Sequence, residues 1–585
     1  MQTIFGENLD RQAVLSEYPR PQMYREPWLC LNGAWEYAIT QSETPPDVYD
    51  GEILVPFSPE SALSGVGRTV RPQDVLWYRR MLELPAAFAD GRVLLHFGAV
   101  DQRCDVFVNG VPAGSHVGGY TAFMLDVTDL LAKSSELVVR VRDSSDTSYH
   151  SRGKQKTDRG GIWYTPQSGI WQTVWCERVP QSYIGGLHIV PLYDASAVCV
   201  TVLSACTQPC AVTAFGQTVQ GTTNAPVTIE AGRFEAWSPE HPKLYALSAR
   251  MGEDAVESYF GMRKIGICKD VQGVPRIFLN NAPYYMNGVL DQGYWPDGLY
   301  TAPSDEAMIG DIKAMKALGF NMLRKHIKIE PLRWYYHCDR LGMLVWQEMV
   351  NGGGAYKKPV VLWPVAVDFH LNDHLYGLFA RGDAAGRAQY YSELRETVLQ
   401  LRSAPSVVVW VPFNEGWGQF DSALADAEIR KLDATRLVDR ASGWHDQGGG
   451  DFRSRHVYFR PYRFKRDRRG RAVVLSEFGG YTLEMPGHTF GVETYGYKDI
   501  SDKAGLAAAL CALFEREILP AKRKGLCASV YTQLSDVEDE LNGLLTYDRR
   551  VNKLEGSDFP RVNRQLSDAD ARPATGFPKD ETPRS

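Results

Sequence analysis

The sequence predicts a multidomain chain in which two antiparallel β-sandwiches precede a C-terminal (β/α)8 TIM barrel. Three observations lead there. The chain has 585 residues, room for about three or four domains at roughly 150 residues each. Its first part, to about residue 265, reads as short strands parted by turn signals. From about Gly266 onward, apolar strand-like runs alternate with helical stretches over about 290 residues, a length that suits a barrel.

The first sandwich is expected over 1–180. Val93-Leu-Leu-His-Phe, Cys104-Asp-Val-Phe-Val and Leu137-Val-Val-Arg-Val-Arg are rich in branched and aromatic residues, and Asn109-Gly110 is a strong hairpin dipeptide. Over 181–265 the pattern continues with smaller residues, as in His188-Ile-Val, Ala197-Val-Cys-Val-Thr-Val and Pro226-Val-Thr-Ile, which suits a second, immunoglobulin-like sandwich. The barrel is expected over 266–567. There Asn321-Met-Leu-Arg follows a helical Asp305 to Leu318, Met343-Leu-Val-Trp follows Pro331 to Leu341, and Val407-Val-Val-Trp-Val-Pro follows Tyr390 to Arg402. Val473-Val-Leu-Ser and Ala528-Ser-Val-Tyr come later, the second after a helix from Asp502 to Leu519. Residues 568–585, rich in Pro, Asp and Thr, read as a loose tail.

Composition narrows the class. Hydrophobic residues make up 44% and charged residues 23%, which excludes wholesale disorder and fibre. A net charge of -6 lacks the footprint of a nucleic-acid binder. The N-terminus has no secretory pattern, and the longest apolar stretch, Gly505 to Phe514, is about half of what a membrane helix needs, so no membrane is expected as a partner. Ten scattered cysteines, with Cys206 and Cys210 the only close pair, read as reduced thiols of a cytoplasmic protein.

In such a barrel the strands deliver polar residues at their C-terminal ends. One strand ends Trp410-Val-Pro-Phe-Asn414-Glu415-Gly-Trp417, another Val474-Leu-Ser476-Glu477-Phe-Gly-Gly-Tyr481. Two carboxylates from separate strands are what glycoside hydrolysis requires, one to protonate the leaving oxygen and one to meet the sugar carbon. Either glutamate alone reads as well as a strand-end ion pair or a helix cap.

Asn414-Glu415, with Glu477-Phe-Gly-Gly about sixty residues on, resembles glycoside hydrolase family 2, the family of β-galactosidases, β-glucuronidases and β-mannosidases. The resemblance covers nearly the whole chain. Tyr18-Pro-Arg-Pro-Gln-Met and Leu31-Asn-Gly-Ala-Trp-Glu resemble its opening segment. Leu76-Trp-Tyr-Arg-Arg, Val108-Asn-Gly, His116-Val-Gly-Gly-Tyr and Ser168-Gly-Ile-Trp-Gln resemble its sugar-binding jelly roll, and Gly261-Met-Arg-Lys-Ile its entry into the barrel. The resemblance implies a retaining exo-β-glycosidase with Glu415 as acid/base, Glu477 as nucleophile and Asn414 on the sugar 2-hydroxyl. It implies a carbohydrate substrate, no organic cofactor and no metal, since no copy of the metal-binding acids of larger β-galactosidases is found. Relatives often assemble, which makes a homo-oligomer an open expectation.

Other strand ends fill in the pocket. Arg324 stands where the family carries an arginine near the nucleophile. The family's histidine follows that arginine by three residues, whereas His326 follows by two and Ile327 by three, so His326 reads equally as a wall residue. Tyr458, in His456-Val-Tyr458, matches the family's aromatic hydroxyl. His456, Trp444, Asp291 and Gln533 are further candidates at the rim, as are His445, Asp446, Glu348 and Tyr531, each of which reads equally as structural.

The glucuronidase branch carries an Asn-x-Lys pair before a glycine near the last strand. Here the stretch reads Glu540-Leu541-Asn542-Gly543, which lacks the lysine and places an acid where a sugar carboxylate would be repelled. A neutral β-linked sugar, first a β-galactoside, is therefore expected, with a glucuronide as the alternative. Residues 460–471, RPYRFKRDRRGR, read as a solvated loop that would favour acidic glycans only by folding over the barrel mouth. Two rivals are a non-catalytic carbohydrate-binding protein and a different barrel hydrolase. Both glutamates are intact, and no His-Glu-x-x-His, Gly-x-Ser-x-Gly or phosphate-binding Gly-x-x-x-x-Gly-Lys-Ser/Thr occurs, which leaves the two carboxylates without a competitor.

Overall fold

The computed structural model describes residues 1–366, 369–491 and 493–567, so the tail expected at 568–585 lies outside the described residues. The N-terminal part packs a six-stranded sheet against a four-stranded one. The first runs, in spatial order, Gly51–Val55, Gly33–Thr40, Val75–Leu82, Ser135–Arg142, Arg103–Val108 and Val111–Val117, and the second Trp28–Cys30, Val174–Val179, Arg92–Phe97 and Phe123–Asp126. Period-two alternation explains the packing: Arg103–Val108 buries Cys104, Val106 and Val108, which meet Leu95, Phe97, Tyr78 and Val139 in one core. Asn109 and Gly110 turn the chain between the last two strands with φ of 52° and 76°, left-handed values that the Asn-Gly pair tolerates.

A smaller sandwich follows, with Gly186–Leu192, Ala197–Leu203 and Pro226–Glu230 in one sheet and Gln217–Thr222, Pro209–Ala214, Tyr245–Met251 and Asp254–Phe260 in the other. Its core joins Val198, Val200, Val212, Leu247 and Phe260. An antiparallel hairpin, Ile265–Lys269 with Pro275–Leu279, comes before the barrel. Ile265, Ile277 and Leu279 pack on Met286, Met322, Leu344, Phe452, Ala472 and Cys527, residues at the starts of barrel strands, so the hairpin seals the barrel's N-terminal end.

The barrel strands are β1 (Met286–Asp291), β2 (Met322–Lys325), β3 (Leu344–Glu348), β4 (Val407–Val411), β5 (Leu437–Val438), β6 (Phe452–Val457), β7 (Ala472–Gly479) and β8 (Leu526–Thr532). All pair in parallel, in the order β5-β4-β3-β2-β1-β8-β7-β6. No ladder joins β5 to β6 among the described residues, and side chains bridge the seam instead: Ser442 Oγ lies 3.2 Å from Ser454 Oγ and 3.2 Å from His456 Nε2. Helices α1 (Asp305–Ala317), α2 (Leu332–Leu341), α3 (Ala384–Leu401) and α4 (Ser422–Leu432) make the first four crossovers, and α5 (Lys503–Leu513) continues through a wider π turn into Leu519–Lys524 before β8. Ser304, Asp383 and Asp502 cap α1, α3 and α5 by accepting from the backbone three residues on.

Two crossovers depart from the expected alternation, since residues 439–451 and 458–471 carry no helix. The second is the basic loop. It runs down the outer face of β6 and places Phe464 beside Gly525 at the start of β8, rather than over the mouth. With the outward-facing Arg453 and Arg455 it lines an open groove of about 460 Å³ walled by Arg460, Arg463 and Lys465. No helix among the described residues is long and apolar enough to cross a membrane, and the cysteines are all free thiols.

Candidate active site

Two local irregularities aim the glutamates inward. β4 is an unbroken buried run, Val407 to Val411, and the chain then turns sharply. Glu415 sits at φ 50°, a conformation that costs a non-glycine residue roughly 1–3 kcal/mol, and its N–H donates to Ser442 O at 3.0 Å. Gly416 follows at φ 71°, where a Cβ would come within 2.6 Å of the His445 ring. On β7 the pairing with β6 slips between Arg455 and His456, so that His456 faces Glu477. Such bulges re-aim side chains.

Both carboxylates and His456 meet in one buried cluster, where an oxygen of each glutamate and a ring nitrogen of His456 all lie within 4.8 Å of one another. His456 Nδ1 is 2.7 Å from Glu415 Oε1 and 3.5 Å from Glu477 Oε2. Arg324, fully buried on β2, is the hub. Its Nη1 lies 3.3 Å from Glu477 Oε1 and donates to Ser476 O at 2.6 Å, its Nη2 donates to Asn414 Oδ1 at 2.8 Å, and its Nε lies 2.5 Å from Glu348 Oε1. Tyr458 donates its hydroxyl to Glu477 Oε2, stacks on Tyr497 at 4.0 Å and lies 3.0 Å from Thr532 Oγ1.

The electrostatics separate the two families of carboxyl. Burial raises Glu415 to about 7, against the opposing pull of the Lys154, His326 and Arg324 charges. Burial pushes Glu348 up too, but Arg324 and His326 outweigh it and hold Glu348 down at about 2. Burial drives His456 down to about 3, so its ring is neutral. The Tyr458 phenol is held well above its usual range, by burial first and the Glu477 charge second, so it remains a donor.

The remaining sequence candidates take different places. His326 Nδ1 lies 3.0 Å from Glu348 Oε1 and its ring meets Trp417 edge-on at 6.2 Å, which makes it a wall of the same pocket. Trp444, half-buried, has its ring 6.2 Å from that of His456. Asn414 Nδ2 is buried without a partner. Gln533 Oε1 accepts from Gln292 at 2.7 Å and its Nε2 has no partner. Asp291 is drawn away: one oxygen takes Lys325 Nζ at 2.6 Å and the other the N–H of Gly293 at 2.9 Å, so both serve a buried ion network with Glu330.

Several pocket residues escaped the sequence. Residues 149–167 of the N-terminal sandwich reach across to the barrel mouth. Arg152 N and Gly153 N donate to Asn351 O at 2.9 and 3.2 Å, Thr165 N donates to Glu538 at 2.9 Å, and Tyr164 donates its hydroxyl to Glu540. The stretch brings Lys154 beside Glu540 and Trp163 beside Trp417, with ring centroids 5.3 Å apart. The acid at 540 is therefore not alone, as the sequence read over 540–543 implied, because its lysine comes from another domain. A long polar and aromatic loop inside a β-domain, residues 149–167, was the signal available.

Glu415, His456 and Glu477 have the spacing of a metal-ligand set, the one such group among the described residues. The fit is poor, because Glu477 already faces the Arg324 guanidinium and the Tyr458 donor, and a cation there would meet a fixed positive charge.

Residues 271–464 match the model of glycosyl hydrolases family 2, TIM barrel domain. The match covers about a third of the chain, mostly within the barrel. The matched stretch holds Arg324, Asn414, Glu415, His456 and Tyr458 and ends before Glu477. A putative beta-glucuronidase of Formosa agariphila is 27% identical over 369 residues, 58% of this chain and 39% of that protein. A beta-galactosidase of Thermoanaerobacter pseudethanolicus is 23% identical over 390 residues, 62% of this chain and 48% of that protein. The chain thus spans less than half the length of these two relatives. Among solved structures, a family 2 beta-galacturonidase from Eisenbergiella tayi bound to galacturonate aligns with TM-score 0.70 and 19% identity over 94% of this chain and 100% of its own. The beta-D-glucuronidase of Dictyoglomus thermophilum aligns with TM-score 0.72 and 16% identity over 94% and 98%. At those identities the likeness is one of fold.

Proposed function

We propose that the protein is a retaining exo-β-glycosidase that releases a terminal, neutral β-linked sugar, first a β-galactoside, through a covalent glycosyl-enzyme intermediate. One observation carries the reading: oxygens of Glu415 and Glu477 approach within 4.8 Å in a buried cluster, while Glu415 is raised to about 7. Retaining glycosidases hold their two carboxyls about 5–5.5 Å apart, whereas inverting ones need about 6.5–9.5 Å to admit a water.

In the first step protonated Glu415 gives its proton to the glycosidic oxygen as a Glu477 oxygen attacks C1. The C1–O bond breaks, the aglycone leaves as an alcohol, and the sugar is an ester of Glu477. In the second step water attacks C1, Glu415 takes the water's proton, the ester bond breaks, and the sugar leaves with its β configuration. Arg324 and Tyr458 hold the Glu477 carboxyl in place, and the unpartnered Nδ2 of Asn414 meets the 2-hydroxyl. The 149–167 loop, closing one side of the barrel mouth, suits a chain end rather than a mid-chain residue. The aromatic trio Trp163, Tyr356 and Trp417 offers flat faces to a sugar ring.

The test is a panel of p-nitrophenyl β-glycosides (galactoside, glucuronide, mannoside, glucoside and arabinoside) on the wild type and on Glu477→Ala. Turnover of a neutral glycoside that the variant lacks supports the reading. Turnover that survives the substitution contradicts it.

A further inference from the structure

We propose that Lys154 and Glu540, joined across the boundary between the N-terminal sandwich and the barrel, form a substrate-binding pair that engages hydroxyl groups of a neutral sugar and selects against uronides. The inference rests on the glycosidase reading and specifies what its pocket recognises.

The chain delivers Lys154 rigidly. Tyr164 N donates to Lys154 O at 3.0 Å, and the two preceding N–H groups are bound to Asn351 O. Gly153 passes so close to the barrel, at φ 62°, that a Cβ would come within 2.7 Å of the Tyr300 hydroxyl and 3.0 Å of Ile327 O. The side chain is 6% exposed and runs between two aromatic faces, with Nζ 5.3 Å from the Tyr164 ring centre and 5.7 Å from that of Trp417. Its nearest charged partner among the described residues is Glu540 Oε2, 4.0 Å away and beyond hydrogen-bond reach. An ammonium has three donors, and Lys154 Nζ makes no hydrogen bond among the described residues. The acceptors must come from whatever fills the pocket. That pocket is the catalytic one, since Trp417 stands two residues after Glu415 and its ring also meets His326. The Lys154 charge is also the first of those that pull the Glu415 carboxyl down.

Glu540 supplies the complement. Tyr164 and Asn542 each give it one hydrogen bond, the latter at 3.0 Å, which fixes the carboxylate and leaves lone pairs on both oxygens. Side by side, the ammonium donates to a sugar oxygen while the carboxylate accepts from a sugar hydroxyl, and the pair carries no net charge. A neutral sugar satisfies both partners. A uronide carboxylate gains Lys154 but is forced against Glu540, and like charges that close inside a protein repel strongly.

The experiment compares the neutral p-nitrophenyl β-glycoside that the enzyme turns over fastest with the uronide of the same configuration, on wild type, Glu540→Gln, Lys154→Met and the double variant, with Glu477→Ala as background. Glu540→Gln is expected to lower kcat/KM on the neutral glycoside and to raise the uronide-to-neutral ratio about tenfold or more. Lys154→Met is expected to lower kcat/KM on the neutral glycoside about 10- to 100-fold, the size of a hydrogen bond to a charged group, and in the double variant the gained ratio disappears. A ratio unmoved by Glu540→Gln, or a wild type that prefers the uronide, overturns the pair while leaving the glycosidase reading intact. Turnover that survives Glu477→Ala, or no turnover of any glycoside, overturns both. Should Glu540→Gln fail to fold, Lys154→Met decides: unchanged kcat/KM at an unchanged melting temperature overturns the pair, and the stated loss at that temperature supports it.

Discussion

Nδ1 of His456 lies 2.7 Å from Oε1 of Glu415. The other ring nitrogen, Nε2, stands 3.4 Å from Nη1 of Arg324, a group that only donates. A neutral imidazole between them therefore carries its proton on Nδ1, an assignment that follows from the network. Nδ1–H then donates to Oε1, so the proton of the Glu415 acid belongs on Oε2. One histidine thereby sets both the position and the orientation of the acid, and it does so without adding charge.

Glu415→Ala removes the proposed general acid. Turnover of glycosides with poor leaving groups should fall by about 10²–10⁴, the usual worth of a positioned general acid. An activated 2,4-dinitrophenyl glycoside, whose leaving group needs no proton, should lose far less in the first step. Equal loss on both substrates, measured as kcat/KM, contradicts the assignment.

The pH profile follows from the direction of the shift. In the proposed role Glu415 acts protonated, and burial raises it to about 7, so kcat/KM should fall as pH rises through about 7. Lys154 acts on the same carboxyl in the opposite sense, because its positive charge favours the ionised form. Lys154→Met should therefore move the alkaline limb to higher pH. A limb that stays in place, or moves down, excludes Lys154 from the electrostatics of the acid.

Arg324 neutralises two buried carboxylates at once, Glu348 at 2.5 Å and Glu477 at 3.3 Å. Arg324→Met should cost roughly 3–5 kcal/mol, the range for breaking a buried pair and stranding its partner. Thermal melting should show a lowered midpoint for the variant, together with loss of activity. An unchanged midpoint would mean that the barrel does not depend on this charge.

The order of sandwiches and barrel was legible because each leaves a periodic mark: alternating burial in Arg103–Val108, unbroken burial in Val407–Val411 and Ala472–Gly479. The two glutamates stood out in the sequence as candidates because Glu415 comes soon after the apolar run 407–411 and Glu477 soon after 473–475. What the sequence hid depends on long-range contact. Asp291 ends a strand as a ligand residue would, yet Lys325 and Gly293 take both of its oxygens. Lys154 lies in a loop without periodicity, 386 positions before its partner Glu540 in the chain (540 − 154), and only the docking of one domain on another brings them together. The two helix-free crossovers were hidden too, because a barrel can close its seam with side chains such as Ser442 and Ser454 in place of a ladder.

Trapping the covalent intermediate tests the central claim most directly. The enzyme would be incubated with the 2,4-dinitrophenyl 2-deoxy-2-fluoro derivative of its best neutral β-glycoside, quenched, digested with pepsin and sequenced by mass spectrometry. Loss of activity with one fluorosugar esterified to Glu477 is the predicted result. A sugar on any other residue, or continued turnover with no adduct, would contradict it.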